Sequence, residues 1–453
     1  MIDLTLTEVA EALGVSFSGP GLRVSRISTD TRSSAPESLY FALTGERFDG
    51  HDFVEQAVLN GAVAVVVSRP VAVDVPQIRV ADVRLALGHL GRYLRRRLNP
   101  KLVALTGSAG KTTVKEMIAA VLGQSGTTLA TQGNYNNEVG VPLTLLRLTP
   151  EHRYAVVEMG ARFPGDIAYT ADLAEADVAL VTNVGAAHLE GMGSEAGVAE
   201  TKGDIYRKLG AGGTALVNRD SPWAGYWLGR MPEGVRVLGF GESPEAEVRA
   251  EDVRLNERGE PRFVLVTEAG RVEVELPVPG RHNVSNALAA AAAGLALGLT
   301  PAVVARGLAG TPAVAGRLTR MTGVNGAQLI DDTYNANATS LQAALDVLAA
   351  VKGERVLVLG DMHELGEDAA RYHFEAGCRA KALGIDRLYA YGELAGRAAD
   401  GFGGRRFESL EALVEQVKNE SNPDLTILVK GSRSARMERV VQALLPGAQA
   451  PGI

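Results

Sequence analysis

A single cysteine, Cys378, among 453 residues excludes an internal disulfide and suits a reducing compartment. An excess of positive charge is also missing. The formal net charge is −7, which disfavours a nucleic-acid surface. An anionic substrate still fits, because local fields at a site override net charge. No apolar run is long enough to cross a bilayer; Ala287 to Leu297 is typical and too short. Met1 to Gly14 carries acidic residues and no basic start, so no secretory signal is expected there. These absences lead us to expect a cytoplasmic protein with no membrane and no nucleic-acid partner; a monomer is also expected. No short-period repeat is visible.

What is present reads as soluble and globular: 46% hydrophobic and 22% charged residues. The length suits about three domains, and we divide the chain at 1–98, 99–313 and 314–453. In the first unit, Thr5 to Leu13 reads as a helix with Thr7 as its cap. Leu39 to Ala42 and Val63 to Val67 read as strands, with a helix from Phe53 to Asn60 between them. Val83 to Leu98 is a longer helix, which Asn99-Pro100 ends. The second unit has near-continuous apolar strands at Leu102–Leu105, Tyr154–Val157, Val178–Val181 and Thr214–Val217, as in a parallel sheet buried on both faces. Val248 to Leu276 alternates and reads as an antiparallel meander, followed by an alanine-rich helix from Asn283 to Leu297. The third unit has strands at Ala327–Ile330, Arg355–Leu359, Arg387–Tyr391 and Thr426–Val429. Helices at Ser340–Ala350 and Ala369–Ala382 lie between them. The fold class is therefore α/β: an N-terminal α/β unit, a central doubly wound parallel sheet with a small meander, and a C-terminal Rossmann-like unit.

The chain is organised around Leu105-Thr106-Gly107-Ser108-Ala109-Gly110-Lys111-Thr112-Thr113. Here a strand, a glycine turn and a helix start make a phosphate cradle. Gly107, Ser108, Ala109, Gly110 and Thr113 offer backbone N–H groups, Lys111 a point charge, and the Thr112 hydroxyl a place for Mg²⁺. The full Walker pattern wants a further glycine where Leu105 stands, so this is a variant loop.

Other candidates lie at strand ends. Glu158 follows Tyr154–Val157, where a carboxylate beside a phosphate loop holds Mg²⁺ or simply meets solvent. His188 follows Val178–Val181; Mg²⁺ prefers oxygen, so a histidine ligand would be unusual. Read from its chemistry alone, Lys202 is a surface lysine. Asn283 and Asn286 cap a helix or read a base edge. Asp332, in Asp331-Asp332-Thr333-Tyr334-Asn335-Ala336-Asn337, meets a ribose or builds a turn.

Three long and unusual stretches add to these motifs: Thr131 to Pro142, with Asn134, Asn136, Asn137 and Glu138; Val358 to Gly366; and Val429 to Ser434. Together they resemble the Mur ligase family, the ATP-dependent amide-forming enzymes of peptidoglycan precursor assembly. Within it they look most like the branch that adds D-alanyl-D-alanine to UDP-N-acetylmuramoyl-tripeptide. The resemblance implies ATP and two Mg²⁺ as cofactors. It implies a catalytic set of Lys111, Glu158, His188 and Lys202, with Lys202 carbamylated by CO₂ and Thr112, Glu158, His188 and Lys202 at the metals. Asn283, Asn286, Arg317 and Asp332 would meet ATP. Ser28, Asp30, Thr31, Arg32, Thr44, Gly45, Asp49, Gly50 and His51 would hold the UDP end. Asn134, Asn136, Asn137, Glu138, Asn335 and Asn337 would meet the peptide. The family usually has proline after the asparagine at 337; here Ala338 follows it.

Overall fold

The protein is described by a computed structural model over residues 3–33, 35–46, 48–186 and 189–447. Its centre is a nine-stranded sheet. Lys101–Thr106 lies inside it, paired in parallel with Tyr154–Glu158 on one side and Val178–Val181 on the other. Every residue of Val178–Val181 and Tyr154–Glu158 is buried, which is why these strands read as continuous apolar runs. Parallel pairing brings three carboxyl ends to one edge, where ligands of doubly wound sheets bind.

The sheet is larger than the sequence suggests. Thr128–Ala130 adds an edge strand, and Arg236–Gly241 joins Thr214–Asn218 to Val248–Leu255. The expected meander, Val248–Leu255, Pro261–Thr267 and Gly270–Glu275, is antiparallel but continues this same sheet. The two added strands were hidden because one has three residues and the other is interrupted by Gly239 and Gly241.

The first unit has four parallel strands, Arg26–Ser28, Ser38–Phe41, Ala62–Val67 and Gln77–Arg79. Its opening helix spans Leu6–Leu13, and the cap is Thr5, not Thr7. The Thr5 hydroxyl accepts from the Glu8 N–H, and the Glu8 carboxylate accepts from the Thr5 N–H. The acid three residues on decides the choice, since only Thr5 can close that reciprocal pair. Helix Val83–Leu98 has the predicted bounds, with Asn99 in the left-handed region. It packs on the central unit: Arg95 is buried and donates to the carbonyls of Ala174 and Glu175 at 2.9 Å. One hydrophobic core accordingly runs from Leu4 to Trp227 across both units.

The third unit is a six-stranded sheet in the order Thr319–Thr322, Gln328–Asp332, Leu425–Lys430, Glu354–Gly360, Arg387–Tyr391, Arg405–Phe407. Its first strand is an antiparallel edge; the rest is parallel. Helix Ala338–Ala349 begins at Ala338 in the first helical position, where proline is also accommodated. Asn337 caps it in a reciprocal pair with Ser340, so the turn forms without proline.

Candidate functional site

The phosphate loop leaves strand Lys101–Thr106 and enters helix Lys111–Gly123 through Gly110, at φ +78. A Cβ at Gly110 would lie 2.8 Å from Oδ1 of Asn286, and one at Gly107 would overlap the Thr182 hydroxyl. The loop is braced from the neighbouring strand end. Asn183 accepts from the Ala109 N–H (2.8 Å) and donates to its carbonyl (3.0 Å), while Thr182 donates to the same carbonyl (2.7 Å). Ser108 exchanges hydrogen bonds with Gly185. Lys111 folds back, its ammonium donating to the Gly107 carbonyl at 2.7 Å. Burial lowers its pKa, opposed by Glu158 and reinforced by Arg317.

Glu158 is buried at the tip of its strand. One carboxylate oxygen accepts from Asn136 at 2.8 Å; the other is buried with no partner among the described residues. Lys202 is the largest surprise. Its helix, Glu195–Arg207, packs on Val178–Val181 and Lys101–Thr106. The side chain is 0% exposed and its Nζ has no partner among the described residues, so the surface reading is wrong. Burial first, then repulsion from Lys111, holds its pKa well below the ordinary value. An unpaired buried amine is disposed to lose its proton, which gives the form that reacts with CO₂, and a carbamate there would supply the oxygens that Mg²⁺ prefers. Such a carbamate and the unpaired Glu158 oxygen are donors of the kind a divalent cation takes, although no group of three or more His, Cys, Asp or Glu side chains gathers among the described residues. His188 lies outside the described residues.

The third unit closes this edge. Arg317 lies over the Tyr334 ring, 4.4 Å from its centroid, with Nη2 3.4 Å from the Thr112 hydroxyl. Asn337 donates from Nδ2 to the Ser108 carbonyl at 3.1 Å. Between the units is a cavity of about 210 Å³ lined by Gly110, Thr113, Asn283, Asn286, Arg317 and Asp332. Asp332 is committed within the protein: it ion-pairs with buried Lys430 and accepts from the Leu318 N–H at 3.3 Å. Asn283 donates to the Pro279 carbonyl (2.7 Å) and accepts from Asn286 (2.8 Å).

The remaining candidates divide by what they touch. Asn137 accepts from the Gly140 N–H, Asn335 from the Ala336 N–H, and Asn136 orients Glu158. Asn134 is exposed and Glu138 half-buried. In the first unit, the Ser28 hydroxyl donates to the Asp30 carbonyl, Asp30 pairs with exposed Arg32, and Thr31 opens the following turn. Asp49 accepts from Thr44 and Arg69 and from both the backbone and ring of His51. His51 is buried and also accepts from the Ser68 N–H at 3.0 Å, so both ring nitrogens are used internally. A Cβ at Gly50 would strike the Leu43 carbonyl, and one at Gly45 the Phe48 ring. Arg47 lies outside the described residues. Sequence reasoning missed Asn218, His282, Thr339 and Lys430, which line the cavity, and it passed over Thr182 and Asn183. Those two follow a strand end just as Glu158 does, and that signal was available.

Comparison with known proteins matches residues 23–95 to the Mur ligase family catalytic domain. Residues 105–294 match the Mur ligase middle domain, and 316–433 the Mur ligase glutamate ligase domain. The UDP-N-acetylmuramoyl-tripeptide--D-alanyl-D-alanine ligase of Escherichia coli (strain K12) is 46% identical over 451 residues, covering 98% of this chain and 99% of that one. The chain belongs to the Mur ligase family. Among solved Mur ligases, crystal structure I of MurF from Acinetobacter baumannii has a TM-score of 0.93 to it at 36% identity, covering 98% of this chain and 99% of that one. MurF from Thermotoga maritima in complex with ADP has a TM-score of 0.83 at 28% identity, covering 93% and 97%. The α/β fold read from the sequence is that of these Mur ligases.

Proposed function

We propose that this chain is an ATP-dependent ligase that joins D-alanyl-D-alanine to the terminal carboxylate of UDP-N-acetylmuramoyl-tripeptide. The product is the UDP-N-acetylmuramoyl-pentapeptide of peptidoglycan precursor synthesis. The observation that carries this reading is the full-length likeness to the ligase of that name, first unit included. A transport or regulatory ATPase would need only the phosphate loop.

The tripeptide carboxylate attacks the γ-phosphorus of ATP, ADP leaves, and an acyl phosphate forms. The amine of D-alanyl-D-alanine then displaces phosphate. Lys111 and Arg317 offset the charge that gathers when ATP meets a carboxylate. Gly107 to Thr113 hold the phosphates, with the Thr182 and Asn183 braces keeping the loop in shape. Asn283, Asn286 and Asp332 line the nucleoside side. The Thr112 hydroxyl, Glu158, His188 and Lys202 as its carbamate would hold two Mg²⁺. When bound, these ions supply charge neutralisation at the transferring phosphoryl group. The first-unit segments from Ser28 to Arg32 and from Thr44 to His51 would receive the UDP end, with Asp49 and His51 shaping the loop from within. Asn134 and Glu138 would face the peptide. Asn136, Asn137, Asn335 and Asn337 act by holding Glu158, the turns and the helix start in place. We further propose a cytoplasmic monomer; no helix among the described residues is long and apolar enough to cross a membrane.

A phosphate-release assay tests the reading. Release should require ATP, tripeptide and D-alanyl-D-alanine together. Rapid ATP turnover with neither peptide present would favour the regulatory ATPase instead.

A further inference from the structure

Lys115 carries a buried ammonium that the reaction above does not use. It lies one turn beyond Lys111 on helix Lys111–Gly123, so the two lysines share a helix face. Its side chain is 3% exposed. Burying a charge is costly unless it is paired and hydrogen-bonded. Lys115 meets that need at two atoms, the Thr131 carbonyl at 2.7 Å and Glu116 Oε1 at 2.7 Å.

Thr131 in turn holds Glu158. It follows the edge strand Thr128–Ala130, which has three residues and one neighbour, Tyr154–Glu158. The Thr131 N–H donates to the Val156 carbonyl at 3.0 Å, and its hydroxyl accepts from the Glu158 N–H at 3.0 Å. Gln132 to Tyr135 are exposed, and Asn136 then turns back to the strand. The Asn136 carbonyl accepts from the Gly160 N–H at 2.7 Å, and its amide donates to Glu158 Oε1 at 2.8 Å. One loop therefore grips Glu158 at two points, its backbone and its carboxylate. The other carboxylate oxygen, Oε2, is buried and without a partner among the described residues. The loop starts from a three-residue edge strand, and Lys115 ties that start to the helix that carries Lys111.

We propose that Lys115 and Thr131 are positioning residues for Glu158. Through them the helix that follows the phosphate loop sets where the free Glu158 oxygen points, and so how tightly the site holds a divalent cation. Neither residue touches the ion. Partners that hold a ligand in this way typically cost about 10- to 100-fold in metal affinity when removed. This inference rests on the cation site in the ligase reading above.

The test measures Mn²⁺ binding without turnover. The full chain is titrated with Mn²⁺ in the presence of the β,γ-methylene analogue of ATP, and free Mn²⁺ is read by electron paramagnetic resonance against the analogue alone. Thr131→Val keeps the shape and removes the acceptor, so it should weaken Mn²⁺ binding by about 10- to 100-fold. Thr131→Ser keeps the acceptor oxygen and should bind as the wild type does. Lys115→Met should share the valine variant's defect, and it carries the test should Thr131→Val fail to fold. Glu116→Gln removes the ion pair but leaves the Thr131 contact, so its binding should be normal. Wild-type Mn²⁺ affinity in folded Thr131→Val or Lys115→Met would overturn the proposal. So would a Glu116→Gln defect equal to that of Lys115→Met, or a Thr131→Ser defect equal to that of Thr131→Val. A wild type that holds no more Mn²⁺ than the analogue alone would defeat the cation site itself, and this proposal with it.

Discussion

Lys430→Met should loosen the third unit sharply. The Lys430 side chain is 1% exposed and its ammonium serves two groups: the Asp332 carboxylate and, at 3.0 Å, the Asn335 carbonyl. Methionine keeps much of the stem's shape but leaves Asp332, 8% exposed at its side chain, as a buried charge without its cation. Breaking a buried pair by removing one partner costs about 3–5 kcal/mol. The strand Leu425–Lys430 is central in its sheet, so its amides open only when the unit opens. Hydrogen exchange followed by mass spectrometry should therefore quicken by roughly 150- to 5,000-fold in peptides covering that strand. Lys430→Met with Asp332→Asn should recover most of this loss. Asparagine can still accept from the Leu318 N–H, and both charges are gone. Exchange at the wild-type rate in Lys430→Met would refute the buried-pair account. A double variant as loose as the single one would show that packing, not charge, is responsible.

Gly110→Ala should raise KM for ATP at least tenfold and also lower the melting temperature, because alanine is strained at φ +78 and the new methyl meets Asn286 within the cavity; normal ATP kinetics would remove Gly110 from the cradle. Burial holds the His373 pKa below its ordinary value. As pH falls, the unfolded chain takes the proton first, so stability is full above about pH 6.5 and declines below it by up to about 1.4 kcal/mol per pH unit. Melting curves from pH 8 to 5 should fall less steeply in His373→Gln than in the wild type, and parallel curves would exclude this histidine. Lys202→Ala should be nearly inactive, with partial recovery in added acetate, whereas Lys202→Arg should gain nothing; full activity of either variant without acetate would rule out the carbamate.

The parts legible in the sequence were those set by local pattern. Helices Val83–Leu98 and Ala369–Ala382 have the bounds that periodicity gave them, and the phosphate loop announced itself by its glycines between a strand and a helix. What escaped was set at a distance. Lys202 lies in a polar stretch, and only the packing of its helix against two strands buries it. The Asn337 contact to Ser108 spans 229 positions, and the Lys430 contact to Asp332 spans 98; no window of sequence shows either. The ring of His51, a residue expected at the UDP end, is held by Asp49 and Ser68, partners that lie two and seventeen positions away. The Thr5 cap was legible from Glu8 and was misread as Thr7. The likeness of two α/β units said nothing of the cavity between them, which forms where contacts such as Arg317 to Thr112 and Asn337 to Ser108 join the third unit to the phosphate loop.

The most direct test of the central claim follows one oxygen atom. The UDP-N-acetylmuramoyl-tripeptide is labelled with ¹⁸O in its terminal carboxylate and incubated with ATP, Mg²⁺ and D-alanyl-D-alanine, and the released phosphate is weighed. If the carboxylate attacks the γ-phosphorus and the amine then displaces phosphate, each phosphate carries one carboxylate oxygen away and the pentapeptide product appears in equal amount. Unlabelled phosphate, with ADP formed and no pentapeptide, would mean that water attacks ATP directly and that the chain is not a ligase.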